Sequence, residues 1–307
     1  MTRALVITNP FAARGHAHAV TEIVKILGRG GWKVDLRTIT GPGDARRIAE
    51  ESLGEGFDVL VSHGGDGTAM QIAAGIAGSG IALGVVPGGT GNVLAGNLQL
   101  PRSTAAAARA LLKARAHAID LGVVERADGA HYFAVVAGTG FDAQLMAATG
   151  REQKRRWKFG AYIVRAVLTL PTVRSAPHRV TVDDTTTEMR AAMLLVLNCG
   201  KLPPGFLNLR DTLVPDDGWL DIVALDADGA FQGVQAVLEM LFRSRGTSKL
   251  KRVWWGRGRT VRVELTEGLP RPVQLDGEVT GTTPFEARLL PGALAVLVGP
   301  GFKSPDG

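Results

Sequence analysis

The sequence predicts two domains of different class. A Rossmann-like α/β domain with a doubly wound, mostly parallel sheet is expected over residues 1–122, and a mostly antiparallel, β-rich domain over residues 123–307. Three observations predict this division. Strands alternate with helices up to residue 122, two glycine-rich turns follow apolar runs in that part, and longer apolar runs dominate afterwards. The last residues are expected to return to the first domain.

Short apolar, β-branched runs predict the strands of the first domain, and apolar residues at helical spacing predict its helices. Their alternation indicates parallel βαβ units, whose ligands bind at the carboxyl ends of the strands. The predicted strands are Leu5–Thr8, Lys33–Ile39, Asp58–Ser62 and Ile81–Val86, and the predicted helices are Ala17–Leu27, Asp44–Leu53 and Thr104–Ala114.

Longer apolar runs predict the antiparallel strands of the second domain, and a few helical segments interrupt them. The runs are Tyr132–Ala137, Arg179–Val182, Ala191–Asn198, Leu220–Leu225, Thr260–Leu265 and Ala293–Val298, and the helical segments are Ala143–Thr149, Lys158–Leu170 and Phe231–Phe242.

Composition is that of a soluble globular protein, with 45% hydrophobic and 21% charged residues. A single cysteine, Cys199, excludes a disulfide framework and fits a reducing cytoplasm. The net charge of +6 is concentrated in two stretches, residues 151–179 and 243–262, which also contain Trp157, Trp254 and Trp255. These stretches are either solvated basic faces or a surface for anionic lipid headgroups. We expect no nucleic-acid partner, because no nucleic-acid-binding motif accompanies the charge.

Two glycine-rich turns carry the clearest chemical signal. His63–Thr68 reads His-Gly-Gly-Asp-Gly-Thr, and Pro87–Asn92 reads Pro-Gly-Gly-Thr-Gly-Asn. Glycines at a strand-to-helix turn let backbone N–H groups approach a phosphate closely. The pair therefore predicts a nucleoside triphosphate site. A Walker motif is absent, and Gly138–Ala143 matches the dinucleotide fingerprint but lacks the acid that should follow it.

These motifs resemble the diacylglycerol-kinase catalytic domain of bacterial lipid kinases, which sphingosine kinases share. The Gly-Gly-Asp-Gly-Thr element alone is also similar to NAD kinases and phosphofructokinases. The resemblance extends along nearly the whole chain through Asn9-Pro10, Ile119–Gly122, Gly138–Ala143, Gly160–Tyr162, Asp216–Gly218 and Asp276–Glu278.

The resemblance implies that ATP and Mg²⁺ bind in the first domain. Asp66 would organise the metal, directly or through water, although an Asx-turn or helix cap is the alternative role for this residue. Arg14 departs from the small residue that the family often has. The implied nucleotide-binding residues are Asn9, Pro10, Phe11, Ala12, Ala13, Thr40, Gly64, Gly65, Asp66, Gly67, Thr68, Ala69, Met70, Gly89, Thr90 and Asn92.

Two further groups of acids lie in the second domain. If Asp276-Gly277-Glu278 is part of a strand, both carboxylates face one side, whereas Asp-Gly also favours a hairpin turn. The resemblance implies that one carboxylate accepts the proton of a lipid hydroxyl. We favour Asp276, and Glu278 stays open. It also implies a structural Mg²⁺ held by Asp217 and the carbonyls of Val214 and Trp219, against the alternative of a simple β-turn.

The expected activity is ATP- and Mg²⁺-dependent phosphorylation of a membrane lipid, with diacylglycerol as the first candidate. The enzyme would be cytoplasmic and bind peripherally to the inner face of an anionic membrane, and a homodimer remains open. A NAD-kinase-like phosphotransferase is one alternative, against which the basic, Trp-containing second domain argues. A catalytically silent lipid- or nucleotide-binding regulator is another, against which the retention of Asp66, Asp276 and Glu278 argues.

Overall fold

A computed structural model describes residues 1–11, 16–89, 91–140, 173–202, 207–209, 213–242 and 252–304. It divides into two compact units. Of the described residues, the first comprises those of Met1–Leu121 and 291–304, and the second those of Gly122–Leu202 and Leu207–Leu290.

The first unit is a parallel sheet with helices, in the order β2-β1-β3-β4 followed by the end of β18. Every residue of β3 and β4 is buried, as expected for central parallel strands covered on both faces. Its strands are β1 (Arg3–Thr8), β2 (Lys33–Thr38), β3 (Val59–Gly64) and β4 (Ala82–Pro87). Its helices are α1 (His16–Arg29), α2 (Asp44–Glu51), α3 (Asp66–Ile76), α4 (Val93–Asn97) and α5 (Thr104–Leu111).

The second unit is built from antiparallel strands around an apolar core that includes Phe133, Val180, Leu194, Ile222 and Phe285. One sheet has the order β14-β13-β10-β7-β16-β17, and a second set pairs as β18-β15-β8-β9 with β5 and β6 beside it. The strands are β5 (Arg115–Arg126), β6 (Gly129–Phe133), β7 (Val136–Gly140), β8 (Ala176–Val182), β9 (Thr185–Ala191), β10 (Met193–Leu197), β11 (Lys201–Leu202), β12 (Leu207–Asn208), β13 (Leu220–Leu225), β14 (Val253–Gly258), β15 (Thr260–Leu265), β16 (Pro272–Leu275), β17 (Glu278–Thr282) and β18 (Phe285–Val298), with one helix, α6 (Ala230–Phe242).

The predicted fold class is confirmed, with differences in detail. The run Tyr132–Ala137 is not one strand, because the chain leaves β6 after Phe133 and begins β7 at Val136. The division between the units falls between Leu121 and Gly122, within β5 and next to the predicted boundary at residue 122. The helices predicted at 143–149 and 158–170 lie outside the described residues. Among the helices described, none is both long and apolar enough to cross a bilayer.

Candidate functional site

The two glycine-rich turns meet backbone to backbone in the first unit. Strands β3 and β4 pair in parallel up to Gly64 and Pro87, so both turns leave the same edge of the sheet. The Gly88 N–H donates to the Gly64 carbonyl at 2.8 Å. A Cβ at Gly89 would lie 2.6 Å from the Cα of Gly65, closer than side chains tolerate. Glycine is therefore required for the contact itself.

Asp66 links the first turn to the second. It lies in the first turn of α3, and its Oδ1 accepts a hydrogen bond from the Leu94 N–H at 3.1 Å. Burial raises the pKa of the Asp66 carboxyl, while hydrogen bonds from the backbone N–H groups of Leu94, Val93 and Asn92 act in the opposite direction. These hydrogen bonds therefore compensate only part of the cost of burying the negative charge of Asp66.

Asn92 fixes the shape of the second turn. Its backbone is left-handed, with φ of 50°, which Asn tolerates better than most residues. Its side-chain oxygen accepts from the Gly89 N–H at 3.1 Å, and its side-chain amide donates to the Gly89 carbonyl at 2.8 Å. This closed pair of bonds makes Asn92 a structural part of the turn.

Asn9 ties the loop after β1 to the first glycine turn. Its backbone N–H donates to the His63 carbonyl at 2.9 Å, and its side-chain amide donates to the Thr68 hydroxyl at 3.0 Å. A Cβ at Gly64 would lie 2.7 Å from the same hydroxyl oxygen. The structure thus brings Asn9, Gly64 and Thr68 together, as a shared ligand site requires.

The other predicted nucleotide residues lie in varied surroundings. Pro10 is half-buried and Phe11 exposed in the turn after β1, and Gly67 lies in the first turn of α3. Ala69 and Met70 are buried in α3 and contribute to the core. The Thr40 N–H and hydroxyl both donate to Asp44, which lowers the pKa of that carboxyl. Ala12, Ala13 and Thr90 lie outside the described residues.

Asp276 occupies a turn, so of the two alternatives the hairpin is the one found, and Asp276 does not share a strand with Glu278. Asp276 and Gly277 have φ of 47° and 87° and connect β16 to β17, with Leu275 paired to Glu278. Asp-Gly suits this turn because both positions need positive φ.

The Asp276 carboxylate accepts three backbone hydrogen bonds. Its donors are the N–H groups of Ala134 at 2.8 Å, Val135 at 3.0 Å and Val136 at 2.8 Å. These residues form the break between β6 and β7, so the carboxylate holds the chain where the predicted strand is interrupted. The three donors fix the position of this carboxylate.

Glu278 has the opposite surroundings. It is the first residue of β17 and is exposed. Within the described part of the chain, its carboxylate makes no hydrogen bond or ion pair. The Glu278 carboxylate is therefore accessible to a ligand, whereas the Asp276 carboxylate is occupied by three backbone donors.

Asp217, the predicted metal ligand, lies next to an arginine. Its Oδ1 accepts from the Trp219 N–H at 3.0 Å, and its Oδ2 lies 3.3 Å from Nη2 of Arg257. Arg257 also makes two hydrogen bonds with Asp221, at 3.1 and 2.7 Å. The guanidinium therefore offsets the negative charge of this turn. No cluster of three or more acidic, His or Cys side chains suited to a metal occurs among the described residues, and the Mg²⁺ site at Val214, Asp217 and Trp219 stays a prediction.

Arg257 is not among the residues predicted from the sequence. The signal was an acid, Asp221, within the apolar run Leu220–Leu225, because a buried carboxylate requires a cationic or hydrogen-bonding partner. Its partner could be identified only from the register of β13 and β14, which places Asp221 opposite Arg257.

Comparisons with known proteins show the family and the fold. The family model described as "Diacylglycerol kinase catalytic domain" matches residues 3–124. A second model, "YegS C-terminal NAD kinase beta sandwich-like domain", matches residues 134–298. Two crystal structures of proteins from Bacillus anthracis str. Sterne have TM-scores of 0.81 and 0.76 over 98% of both chains, at 24% and 23% identity, and the second is of a diacylglycerol kinase.

Two relatives align with most of the chain. A diacylglycerol kinase of Mycobacterium tuberculosis (strain H37Rv) is 30% identical over 301 residues, which cover 95% of this chain and 93% of the relative. A probable lipid kinase YegS-like of Pseudomonas aeruginosa (strain UCBPP-PA14) is 34% identical over 276 residues, 87% of this chain and 85% of that protein. The chain therefore belongs to the diacylglycerol kinase family of lipid kinases.

Proposed function

We propose that the protein transfers the γ-phosphoryl group of ATP to the hydroxyl of a membrane lipid, diacylglycerol being the first candidate, in a reaction that depends on Mg²⁺. The observation that carries this proposal is the backbone contact of the two glycine turns, with Asp66 reaching from one to the other. Phosphoryl transfer depends mainly on positioning and on neutralising charge. This arrangement provides groups for both.

The nucleotide phosphates would lie against the first glycine turn. Gly64, Gly65 and Gly67 carry no side chain that would hold a phosphate away from the backbone. Residues 65–68 are also the start of α3, where N–H groups and the helix dipole favour an anion. The Thr68 hydroxyl, held by Asn9, adds one more polar group at the same point.

Asp66 is the residue that would hold Mg²⁺ there. The bound ion would neutralise the phosphate oxygens as charge shifts toward the leaving group. A carboxylate oxygen is a ligand type that Mg²⁺ prefers, and burial has left the Asp66 charge only partly compensated. A nearby cation would supply that compensation, so the environment of Asp66 fits the metal.

The acceptor hydroxyl needs a base, and we assign that role to Glu278. The three amides on Asp276 give it a positioning role instead, because it fixes the turn that presents Glu278. This reverses the order favoured from the sequence. The lipid acceptor is inferred from the relatives, one named diacylglycerol kinase and another probable lipid kinase.

A second candidate function is phosphorylation of a soluble dinucleotide. It is favoured by one observation, the match of residues 134–298 to a domain described as NAD kinase-like. The proposal predicts that wild-type protein with γ-labelled ATP and Mg²⁺ labels diacylglycerol or another lipid of a mixed extract, and leaves NAD unlabelled. Label on NAD and on no lipid would contradict it. If neither NAD nor any lipid is labelled while the protein still binds ATP, the catalytically silent regulator is favoured.

Asp66→Asn is expected to lower the rate of phosphoryl transfer by at least about 100-fold. It should not lower the stability of the fold. Asn keeps an oxygen for the Leu94 N–H and removes a charge whose pKa is raised by burial. A raised folded-state pKa means that ionisation of Asp66 opposes folding at neutral pH, and that this cost disappears below the unfolded value of 3.8. Thermal unfolding at pH 7 should therefore show a midpoint at or above wild type, with the difference shrinking toward pH 4.

The matched control is Asp184→Asn, which changes an exposed acid outside the proposed site. It should alter neither activity nor unfolding. A large loss of stability in Asp66→Asn would show that Asp66 acts as a structural cap, contrary to the proposal.

Asp276→Asn is expected to lose stability, whereas Glu278→Gln is expected to lose activity. In Asp276→Asn an amide group faces backbone donors, and bonds to a charged acceptor contribute about 1.5–3 kcal/mol each. The free energy of unfolding should therefore fall by at least about 2 kcal/mol in urea titrations. Glu278→Gln should unfold like wild type but lose about 100-fold or more in kcat. Wild-type kcat in Glu278→Gln would refute the assignment of the base.

A further inference from the structure

Helix α6 exposes an apolar stripe. Phe231 is 76% exposed, Val234 45% and Leu238 46%. Their spacing of three and four residues puts them on one face of the helix. The opposite side packs inward through Gly233, Ala236, Glu239 and Met240. Large exposed apolar side chains in such a row mark an interaction surface rather than ordinary surface residues.

One exposed acid lies just before the stripe, Asp228, and its Oδ2 is paired with Nη2 of Arg190 at 3.2 Å. The only charged residue of α6 is Glu239, which is buried and accepts a hydrogen bond from the Arg252 N–H at 3.1 Å. The sequence after the helix, residues 243–252, contains five Lys or Arg, and the next acid is Glu264. The Arg252 guanidinium donates to Gln232 at 2.9 Å, which places one of these cations against the helix.

We propose that this stripe, Phe231, Val234 and Leu238, docks the protein on an anionic lipid bilayer. An apolar helix face followed directly in sequence by basic residues is typical of a segment that binds such a surface. The 13 residues of α6 span about 20 Å, less than the hydrocarbon thickness of about 30 Å. The helix would therefore lie in the interface without crossing it. This proposal rests on the proposed function, since a kinase acting on a membrane lipid must reach the bilayer.

A second copy of the chain is less suited than a bilayer to cover the stripe. Stable protein interfaces bury about 800 Å² and 20–30 residues on each partner, far more than three side chains provide. Partner proteins are also selected by shape, and this stripe is a single row on a convex helix. The exposed face of α6, as far as its residues are described, carries no acidic group, and the charge of Asp228 before it is offset by Arg190, which suits an anionic surface.

Insertion of the stripe can be measured directly with a fluorophore. Cys199 is buried, so Phe231→Cys supplies an accessible thiol for labelling with an environment-sensitive dye. We expect its emission to increase at least threefold and shift to the blue with vesicles of 30% phosphatidylglycerol in phosphatidylcholine. The control is Leu53→Cys, 43% exposed in the first unit, which should not respond. An unchanged emission at position 231 overturns the proposal.

A second measurement separates docking from catalysis. The triple variant Phe231→Gln, Val234→Gln and Leu238→Gln should sediment with the same vesicles at least tenfold more weakly than wild type. It should also keep wild-type activity on a short-chain diacylglycerol dispersed in water. A double variant of Leu36→Gln and Leu53→Gln, which removes similarly exposed apolar groups from the first unit, should behave as wild type.

The outcomes distinguish the two proposals. If wild type phosphorylates short-chain lipid but the triple variant still binds vesicles normally, the docking proposal is wrong and the proposed function stands. If wild type binds vesicles through the stripe but phosphorylates no lipid, the proposed function fails and docking stands. If the triple variant instead changes a dimer into a monomer with vesicle binding unaltered, the stripe is a protein interface and the docking proposal is overturned.

Discussion

The candidate site depends on one close approach of main chain to main chain. Parallel pairing of β3 and β4 delivers two turns to the same edge of the sheet, and only glycines let Gly89 and Gly65 come together there. The contact places Asp66 within reach of the start of α4, and it leaves Asn92 to close the second turn. A phosphate site formed by backbone groups requires this closeness, because side chains at these glycines would separate the two turns.

Two acids show how the fold divides stability from chemistry. Asp276 receives three backbone donors and holds together the break between β6 and β7. Backbone hydrogen bonds offset only part of the cost of burying the Asp66 carboxylate, so its charge opposes folding. A cost of this kind is typical of functional sites, where a group is kept ready for a ligand rather than satisfied by the protein.

Local patterns were sufficient to predict much of the fold and part of the site. The strand-to-helix alternation, both glycine turns and the run Leu220–Leu225 can be identified from residues close in sequence. The environment of Asp276 could not, because its donors lie some 140 residues earlier and meet it only through the antiparallel register of β7 and β16. The same is true of Asp221 and Arg257, whose pairing depends on which strands become neighbours.

In the proposed site, the two glycine turns bind the nucleotide together. Calorimetric titration of ATP with Mg²⁺ into Gly89→Ala tests it most directly, because a Cβ there lies 2.6 Å from the Cα of Gly65 and must push the turns apart. The control is Gly28→Ala, whose Cβ would meet open space in α1. At least a tenfold weaker Kd for Gly89→Ala, with wild-type affinity in Gly28→Ala, is the predicted result. Equal affinity in wild type and Gly89→Ala would show that the two turns do not bind the nucleotide together.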